Sequence, residues 1–314
     1  MEIKEKIKSL VAKWGSLTED DFPRSAKAFN RVLVHISKEA FNLGTQSIQE
    51  SHLNKENHKL KGFLEIKGKG INKEKLKYIY YRLMGKNTFL GSELKEDIIV
   101  KNGNRKFFCR KNSSDLHIIS NFYENKVMEL FGTLAKESKI IVDVGANVGK
   151  YTILASFVNP KSEIYSIEPD KSNFDVLLKN IELNNLKNII GLNIGMGEEE
   201  GRGKLYNSRG ESKVNCGGSS FMDKCGNFEI VDIGTLDNTF TEIDLIKIDT
   251  EGYELEILKG AKMLLTKGNI KKIILEVNDE RIITLLNNYG YYGKNIQYNN
   301  YLFEKIFGKG AEDD

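Results

Sequence analysis

Residues 140–153 read IIVDVGANVGKYTI, and this stretch decides the fold. Its apolar opening predicts a buried strand, Gly145 and Gly149 predict a tight turn, and the residues that follow predict a helix. A glycine-rich turn between a buried strand and a helix is typical of a nucleotide-binding loop. Dinucleotide-binding loops carry a further glycine at the middle position, where Asn147 stands in this sequence.

Asn147 indicates the kind of ligand that the loop holds. The middle glycine of a dinucleotide loop lets the backbone approach a pyrophosphate, so an asparagine there disfavours close contact with a diphosphate. Gly145 still permits the sharp turn, and Gly149 lets the helix pack close to the strand. S-adenosylmethionine fits such a loop because it carries an amino-acid end and a sulfonium in place of phosphates. Asp143 is then placed to receive its ammonium group, whereas in a plain strand-to-helix turn Asp143 is only a helix cap.

A second acid follows the next predicted strand. That strand, EIYSIEPD, ends in Glu168, one helix and one strand after Asp143. A carboxylate at this place can accept hydrogen bonds from both ribose hydroxyls of a nucleoside, and it repels a phosphate there, which disfavours NADP. Taken alone, Glu168 is also compatible with a surface carboxylate, but the glycine loop favours the binding interpretation.

A third feature is the segment DLIKIDTEGYELEILKGA, residues 244–261. Its apolar strand ends at Asp249, and Glu251 lies two residues later, before a predicted helix. Two carboxylates at the end of a strand are costly unless they are used, so both are candidate catalytic residues. The structural alternative is that Glu251 stabilises the helix amino terminus, which is worth roughly 0.3 to 1 kcal/mol.

The composition bounds the class of protein. The chain has 314 residues, of which 40% are hydrophobic and 29% charged, as in a soluble globular protein with a large domain and a smaller one. The net charge of +3 is too small to indicate a nucleic-acid partner by itself.

The cysteines and the apolar runs bear on location. Three scattered cysteines predict no disulfide framework, and Cys216 and Cys225 have no histidine near them in sequence that would suggest zinc. The amino terminus lacks the apolar run of a signal peptide, and no stretch is long enough to span a membrane. We therefore expect a cytoplasmic protein. The cysteines lead us to assign no metal site.

Two regions differ in texture. Residues 1–90 predict a mainly helical extension of unknown role, which includes a lysine-rich tract from Lys59 to Lys86 with interleaved tyrosines. This tract fits a solvated helix face, or less favourably a surface for an acidic partner. Residues 91–314 predict apolar strands that alternate with amphipathic helices, which indicates an α/β fold with a doubly wound, mostly parallel sheet.

Individual elements can be predicted within residues 91–314. A hairpin is expected to turn at Asn102 and Gly103, and another is expected near the carboxyl end of the chain. NKVMELFGTLAKES predicts a helix before the glycine loop. NIIGLNIGM is expected to form one strand, and ELEILKGAKMLLTKG one helix.

These motifs together resemble the FkbM family of class I methyltransferases. The resemblance covers about two thirds of the chain and rests on VDVGANVGKYT, SIEPD, FEIVDIGTLD, IILEVN, the ending GYYGKNIQYNNYLFEK and above all IKIDTEGYE. It implies a Rossmann-like seven-stranded sheet whose last strand is antiparallel. It also implies S-adenosylmethionine as the donor and O-methylation of a sugar or a sugar-bearing metabolite.

The resemblance also implies roles for individual residues. Donor contacts are expected from the loop and the ribose acid, that is from Asp143, Gly145, Asn147, Gly149 and Glu168. Active-site positions are expected at Asp249 and Glu251, and Glu276 matches a further family acid. Residues 1–90 match no family pattern.

Methyl transfer requires alignment of the acceptor oxygen with the methyl group and removal of the hydroxyl proton. We expect Asp249 to be the base, with Glu251 as the second choice and His117 as a less favoured one. A divalent ion held by Asp249, Glu251 and Glu276 is an alternative way to acidify the hydroxyl. The sequence does not choose between base and metal.

Three other functions remain open at this point. An NAD-dependent oxidoreductase would share the strand, turn and ribose acid, but the middle glycine is missing and no hydride-transfer site is evident. A binding module without catalysis would not need acids at three strand ends. An RNA methyltransferase could use the basic tract, which leaves nucleic acid as a less favoured acceptor. A small molecule or glycan is the favoured one. The oligomeric state is not indicated.

Overall fold

The computed structural model describes residues 66–67, 96–120, 123–207, 219–221 and 227–306, and elements are numbered in chain order within these ranges. The predicted helical extension, residues 1–90, lies outside them except for strand β1, Ile66–Lys67. The lysine-rich tract from Lys59 to Lys86 is therefore also outside the described residues, apart from these two. None of the described helices is both long and apolar enough to cross a membrane.

A seven-stranded sheet forms the centre of the fold, in the order β13-β14-β12-β11-β4-β5-β6. Neighbours from β12 to β6 are parallel, whereas β14 runs antiparallel to both β12 and β13. This confirms the predicted mostly parallel sheet with an antiparallel last strand. Its strands are β4 Ile140–Val144, β5 Glu163–Ile167, β6 Ile189–Leu192, β11 Ile243–Ile248, β12 Ile270–Glu276, β13 Tyr291–Gln297 and β14 Asn300–Lys305.

The central strands are apolar throughout because helices cover both faces of the sheet. In β11, Leu245 packs with Ile141 on the face covered by α2 and α3. The next residue, Ile246, packs with Val142 on the face covered by α6, α7 and α8. Successive side chains of a strand point to opposite faces, so burial on both faces removes the alternation of apolar and polar residues. The helices are α1 Asp115–Ile118, α2 Asn125–Ala135, α3 Lys150–Val158, α4 Lys171–Leu183, α5 Leu236–Thr239, α6 Glu254–Lys259, α7 Lys262–Lys267 and α8 Glu280–Asn288.

The predicted hairpins are confirmed, but the expected single helix after β11 is wrong. The chain forms two short helices, α6 and α7, which are separated at Gly260 and Ala261. A Cβ atom on Gly260 would lie 2.0 Å from the carbonyl oxygen of Gly197. The two backbones therefore meet at this break, and Gly260 O accepts a hydrogen bond from Asp237 N.

The predicted strand NIIGLNIGM is also split. Its first part is β6, whereas Gly195–Met196 forms β7 in a separate four-stranded sheet of order β7-β10-β8-β9. Asn193 lies at the split, and its side-chain amide donates to the carbonyl oxygens of Glu168 and Pro169. These bonds turn the chain out of the main sheet. The other strands of this small sheet are β8 Gly201–Asn207, β9 Ser219–Ser220 and β10 Asn227–Gly234.

The first predicted hairpin belongs to a third sheet. Strands β2 and β3 pair antiparallel around a turn in which Gly103 has a φ of 62°, and β2 also pairs with β1. The hairpin contacts α4 through side-chain amides, since Phe108 N donates to Asn180 Oδ1 and Lys106 N donates to Asn184 Oδ1. The strands are β1 Ile66–Lys67, β2 Ile98–Asn102 and β3 Arg105–Cys109.

Candidate functional site

A pocket opens at the carboxyl ends of β4, β5 and β11. Val144, Ile167 and Asp249 bring these three strand ends into its wall. Helix α1 contributes Ser114, and the small sheet contributes Met196. This is the edge where the sequence predicted that the glycine loop, Glu168 and Asp249 would meet, as expected for a doubly wound sheet.

The glycine loop is fixed against both neighbouring strands. The backbone amides of Gly145 and Ala146 both donate to Ile167 O, at 2.9 and 3.0 Å. Gly145 has a φ of 77°, and a Cβ atom there would lie 1.9 Å from Asp249 O. Gly149 has a φ of 90°, and a Cβ atom there would lie 2.6 Å from Leu177 Cδ1, so this glycine makes room for α4 more than for the strand.

We expect Gly145→Ala to lower the free energy of unfolding by about 3 kcal/mol or more, because the new methyl group meets a backbone oxygen and φ is positive. Gly103→Ala is the matched control, since Gly103 also has positive φ but has open space around it. Its cost should stay near about 1 kcal/mol. Denaturant unfolding measures both, and equal losses would contradict the close approach of the loop to β11.

Asn147 carries a buried polar atom that has no hydrogen-bond partner in the part of the chain that the structure describes. Its backbone adopts the left-handed conformation, with a φ of 52°, and its amide donates to Glu168 Oε2 at 2.8 Å. Its side-chain Oδ1 is buried and makes no hydrogen bond among the described residues. A buried acceptor without a partner costs free energy, so this atom points to a bound donor group.

Ser114, at the start of α1, has the same property on another wall of the pocket. The residue is 2% exposed, and its Oγ has no hydrogen-bond partner among the described residues. The sequence analysis missed Ser114, because no motif links this position to the glycine loop. Two polar atoms of one pocket thus lack a partner among the described residues. They fit a ligand that carries polar groups, such as the amino-acid part of S-adenosylmethionine.

Glu168 is buried and held by backbone amides. Its Oε1 accepts from Asp170 N at 3.0 Å, and its Oε2 accepts from Asn147 N at 2.8 Å. Burial, together with the charge of Asp170, raises the pKa of Glu168 to about 8. The hydrogen bonds from the two backbone amides lower this pKa, but they do not outweigh burial. Each carboxylate oxygen keeps a second lone pair, so both remain able to accept a ribose hydroxyl.

Asp143 lies behind the loop and outside the pocket wall. It is 1% exposed, and its Oδ2 accepts from the amide and the hydroxyl of Thr152, at 2.9 and 2.6 Å. Burial raises the pKa of Asp143 despite the nearby charge of Lys247. The carboxylate thus joins β4 to the first turn of α3. Of the residues predicted to bind the donor, Gly145, Asn147 and Glu168 line the pocket, and Gly149 and Asp143 do not.

Asp249 is paired with a buried lysine. Lys247 Nζ lies 2.7 Å from Asp249 Oδ2, and the lysine side chain is 3% exposed. Burial alone would lower the pKa of Lys247, but the charges of Asp249, Glu124 and Asp143 outweigh it and raise that pKa above its usual value. The lysine therefore stays charged, and Asp249 neutralises it. The sequence analysis placed Asp249 at the site but did not predict its partner.

Glu251 lies on the rim of the same pocket. Its backbone adopts a φ of 54°, which is uncommon for a residue with a side chain, and the turn is held because Thr250 N and Gly252 N donate to Glu254 Oε1. Desolvation and the charges of Asp249 and Glu276 raise the pKa of Glu251 to about 7. Glu251 thus lines the pocket with a pKa near neutral pH, and no described lysine forms an ion pair with it as Lys247 does with Asp249.

The proposed metal ligands do not form a metal site. Among the described residues, no group of three or more His, Cys, Asp or Glu side chains has the spacing of a metal site. The charges of Asp249 and Glu276 raise the pKa of Glu251, and that of Asp249 raises the pKa of Glu276.

A buried polar network closes the pocket on the side of α2 and α3. Tyr151 Oη donates to Glu124 Oε2 at 2.9 Å, and Lys150 Nζ donates to Tyr123 O. Burial lowers the pKa of Lys150 to about 7, although Glu124 opposes the shift. His117, the less favoured base candidate, also lines the pocket and packs its ring against Tyr123 at 5.1 Å. Lys150 and Tyr151 belong to the motif VDVGANVGKYT but were not predicted to be site residues, and Tyr123 and Glu124 lie in none of the motifs.

Comparison with known proteins finds methyltransferases of similar sequence. The chain is 28% identical over 159 residues to the hexuronic acid methyltransferase AglP of Haloferax volcanii, which covers 49% of this chain and 62% of that protein. It is 29% identical over 157 residues to the methyltransferase sdnD of Sordaria araneosa, which covers 38% of this chain and 59% of that protein. The chain thus spans about three fifths of the length of these relatives.

Among solved structures, a SAM-dependent methyltransferase from Agrobacterium tumefaciens aligns with 68% of this chain and 71% of its own, at 9% identity and a TM-score of 0.41. The model of the methyltransferase FkbM domain matches residues 143–292, which run from Asp143 through Glu168, Asp249 and Glu251. Residues 143–292 of this chain are thus similar to the methyltransferase FkbM domain.

Proposed function

We propose that this protein transfers a methyl group from S-adenosylmethionine to a hydroxyl group of a sugar or a sugar-bearing metabolite. One observation carries the proposal: the glycine loop with its ribose acid and the carboxylate of Glu251 face one pocket. The FkbM domain and the relative whose name specifies a hexuronic acid methyltransferase support the same reaction class.

The donor end of the pocket is formed by Gly145, Asn147 and Glu168. Glu168 would accept hydrogen bonds from the ribose hydroxyls, and Asn147 Oδ1 would accept one from the ammonium group. When bound, S-adenosylmethionine supplies a methyl group on a sulfonium, which is a good leaving group. Asp143 acts indirectly, because its bonds to Thr152 hold the loop and α3 in place. The protein contributes mainly by alignment of the reacting groups.

Glu251 is better suited than Asp249 to remove the proton of the acceptor hydroxyl. Asp249 is held by Lys247 at 2.7 Å, so this carboxylate is already engaged in an ion pair with a buried lysine. The pKa of Glu251, about 7, lies near physiological pH, where a general base is most effective. We therefore assign proton removal to Glu251. Asp249 instead neutralises the buried Lys247 beside the pocket.

Transfer of labelled methyl groups to fractionated cell extract tests the reaction. We expect label from S-adenosylmethionine in the carbohydrate-containing fraction, and we expect a glycosidase to convert it to small labelled sugars. Label that is released only by ribonuclease would contradict the sugar acceptor and favour RNA. Binding to RNA would also weaken steeply as salt is raised, whereas a neutral sugar would show little salt dependence.

A further inference from the structure

We propose that Phe221 and Tyr253 form a platform that binds the methyl acceptor, and that this acceptor is a neutral sugar ring. The inference rests on the proposed function and extends it to the substrate class. It departs from the relative whose name specifies a hexuronic acid.

The two rings lie together in the pocket wall. Their centroids are 4.9 Å apart with an angle of 37° between the ring planes, and both residues line the pocket. Glycines of the small sheet make room for them: a Cβ atom on Gly195 would lie 2.7 Å from Phe221 Cζ, and one on Gly203 would lie 3.2 Å from Phe221 Cε1. Any side chain at Gly195 would displace the Phe221 ring.

The platform is joined to the proposed base. Ser220 Oγ donates to the carbonyl oxygen of Glu251 at 3.1 Å, and Phe221 follows Ser220 directly. Tyr253 lies two residues after Glu251 on the other side. The aromatic rings therefore lie beside Glu251, whereas Glu168 lies directly after β5. This position favours contact with the acceptor over contact with the donor.

The chemistry of this corner fits a polyhydroxylated ring. The negative face of an aromatic ring attracts the polarised C–H groups on the apolar face of a sugar. Hydroxyl groups at the edge of the sugar can then donate to carboxylates, because an ionised carboxylate accepts hydrogen bonds and donates none. The arrangement holds one face of the acceptor on the rings and brings one hydroxyl toward Glu251.

The charges of the pocket disfavour a sugar that carries a carboxylate. Glu251 lines the pocket, and when it is ionised it repels a further anion near it. The two buried lysines of the wall are already engaged, since Lys247 pairs with Asp249, and Lys150 donates to Tyr123 O and lies beside Glu124. A neutral pyranose meets no such repulsion.

The test uses the full chain with two kinds of acceptor. Methyl glycosides of glucose, galactose and mannose are compared with the methyl glycosides of glucuronic and galacturonic acid, and methylation is read by mass spectrometry. We expect transfer to at least one neutral glycoside, with kcat/KM at least about tenfold above that of either uronic acid. Donor affinity is measured separately by calorimetry with S-adenosylhomocysteine.

Variants then locate the platform. We expect Phe221→Leu and Tyr253→Leu to raise the acceptor KM about tenfold while the donor Kd stays within about twofold. Phe228→Leu is the matched control, because Phe228 is 48% exposed on β10 of the same small sheet and lies outside the pocket wall. Its KM should not change. Melting temperatures show whether each variant is folded, and the wild-type comparison of neutral and acidic sugars needs no variant.

The outcomes are distinguishable. Faster methylation of a uronic acid overturns the neutral acceptor, and an equal loss of donor and acceptor affinity in Phe221→Leu overturns the position of the platform. Donor binding without transfer to any of these glycosides overturns this inference but leaves the donor site intact. If S-adenosylhomocysteine does not bind at all, the proposed function fails and this inference fails with it.

Discussion

Glu168→Ala should remove most of the stabilisation that S-adenosylmethionine or S-adenosylhomocysteine gives to this protein. At a ligand concentration of about 100 times Kd, binding stabilises the wild-type protein by roughly 2.7 kcal/mol. For a domain of this size that corresponds to an increase in melting temperature of about 5 to 10 °C. The variant should show an increase of about 2 °C or less at the same concentration.

The physical reason is the loss of two hydrogen bonds to a charged acceptor. Ribose hydroxyls that donate to Glu168 favour its ionised form and so lower the pKa of about 8 that it has without ligand. Each such bond to an ionised carboxylate contributes roughly 1.5 to 3 kcal/mol. Loss of both weakens binding by about 100-fold or more, so the same ligand concentration now lies near or below Kd. The substitution also leaves the backbone amides of Asn147 and Asp170 without their acceptor, and each variant is therefore referred to its own melting temperature without ligand.

Glu182→Gln serves as the control, since Glu182 is an exposed residue of α4 outside the pocket wall. Its thermal shift should equal that of the wild-type protein. NAD should give no shift with any of the three proteins. A shift with NAD together with none for S-adenosylmethionine would show that the loop holds a dinucleotide, and a full shift in Glu168→Ala would remove Glu168 from the donor site.

Glu251→Gln should lower kcat by about 100-fold or more and leave the donor Kd within about threefold. General-base catalysis typically contributes factors of this size, and glutamine keeps the shape of the side chain without its basicity. Methyl transfer is measured with a saturating donor, and donor affinity is measured by calorimetry on the same preparation. Glu256→Gln is a matched control, because Glu256 pairs with Lys259 outside the pocket wall.

The pH dependence supplies an independent measure of the same role. A base must be deprotonated, so the rate of the wild-type enzyme should rise as pH increases and level off above the pKa of Glu251, which is about 7 in the protein without ligand. A bound sulfonium stabilises the carboxylate and moves the midpoint to lower pH. In Glu251→Gln this rise should disappear.

Asp249→Asn distinguishes the two candidate bases. We expect this variant to be less stable, because Lys247 loses its partner in a buried position, and we expect it to keep the rise of rate with pH. If Asp249→Asn instead removes that rise while Glu251→Gln remains active, Asp249 is the base and Glu251 is not. Stability is compared by denaturant unfolding, so that a folding defect is not read as a catalytic one.

The sequence by itself determined the main sheet and the edge that carries the site. The apolar runs that end at Val144 and Ile248 predicted strands buried on both faces, and the carboxyl ends of parallel strands meet at one edge. Short-range patterns therefore sufficed to bring the glycine loop, Glu168 and Asp249 together. The parallel part of the fold rests on the same local signals, since strand and helix periods lie in contiguous residues, whereas the seven strands with an antiparallel last strand were expected from the family resemblance.

Only the tertiary structure decided which charges are paired and which polar atoms lack a partner among the described residues. The ion pair of Lys247 with Asp249, the orphaned Oγ of Ser114 and the aromatic pair at Phe221 depend on how separate segments pack. The division of NIIGLNIGM between two sheets depends likewise on side-chain bonds from Asn193 to a neighbouring loop. Periodicity records which face of an element is buried, but the strength of a base and the fit of a substrate depend on the groups that long-range packing places around them.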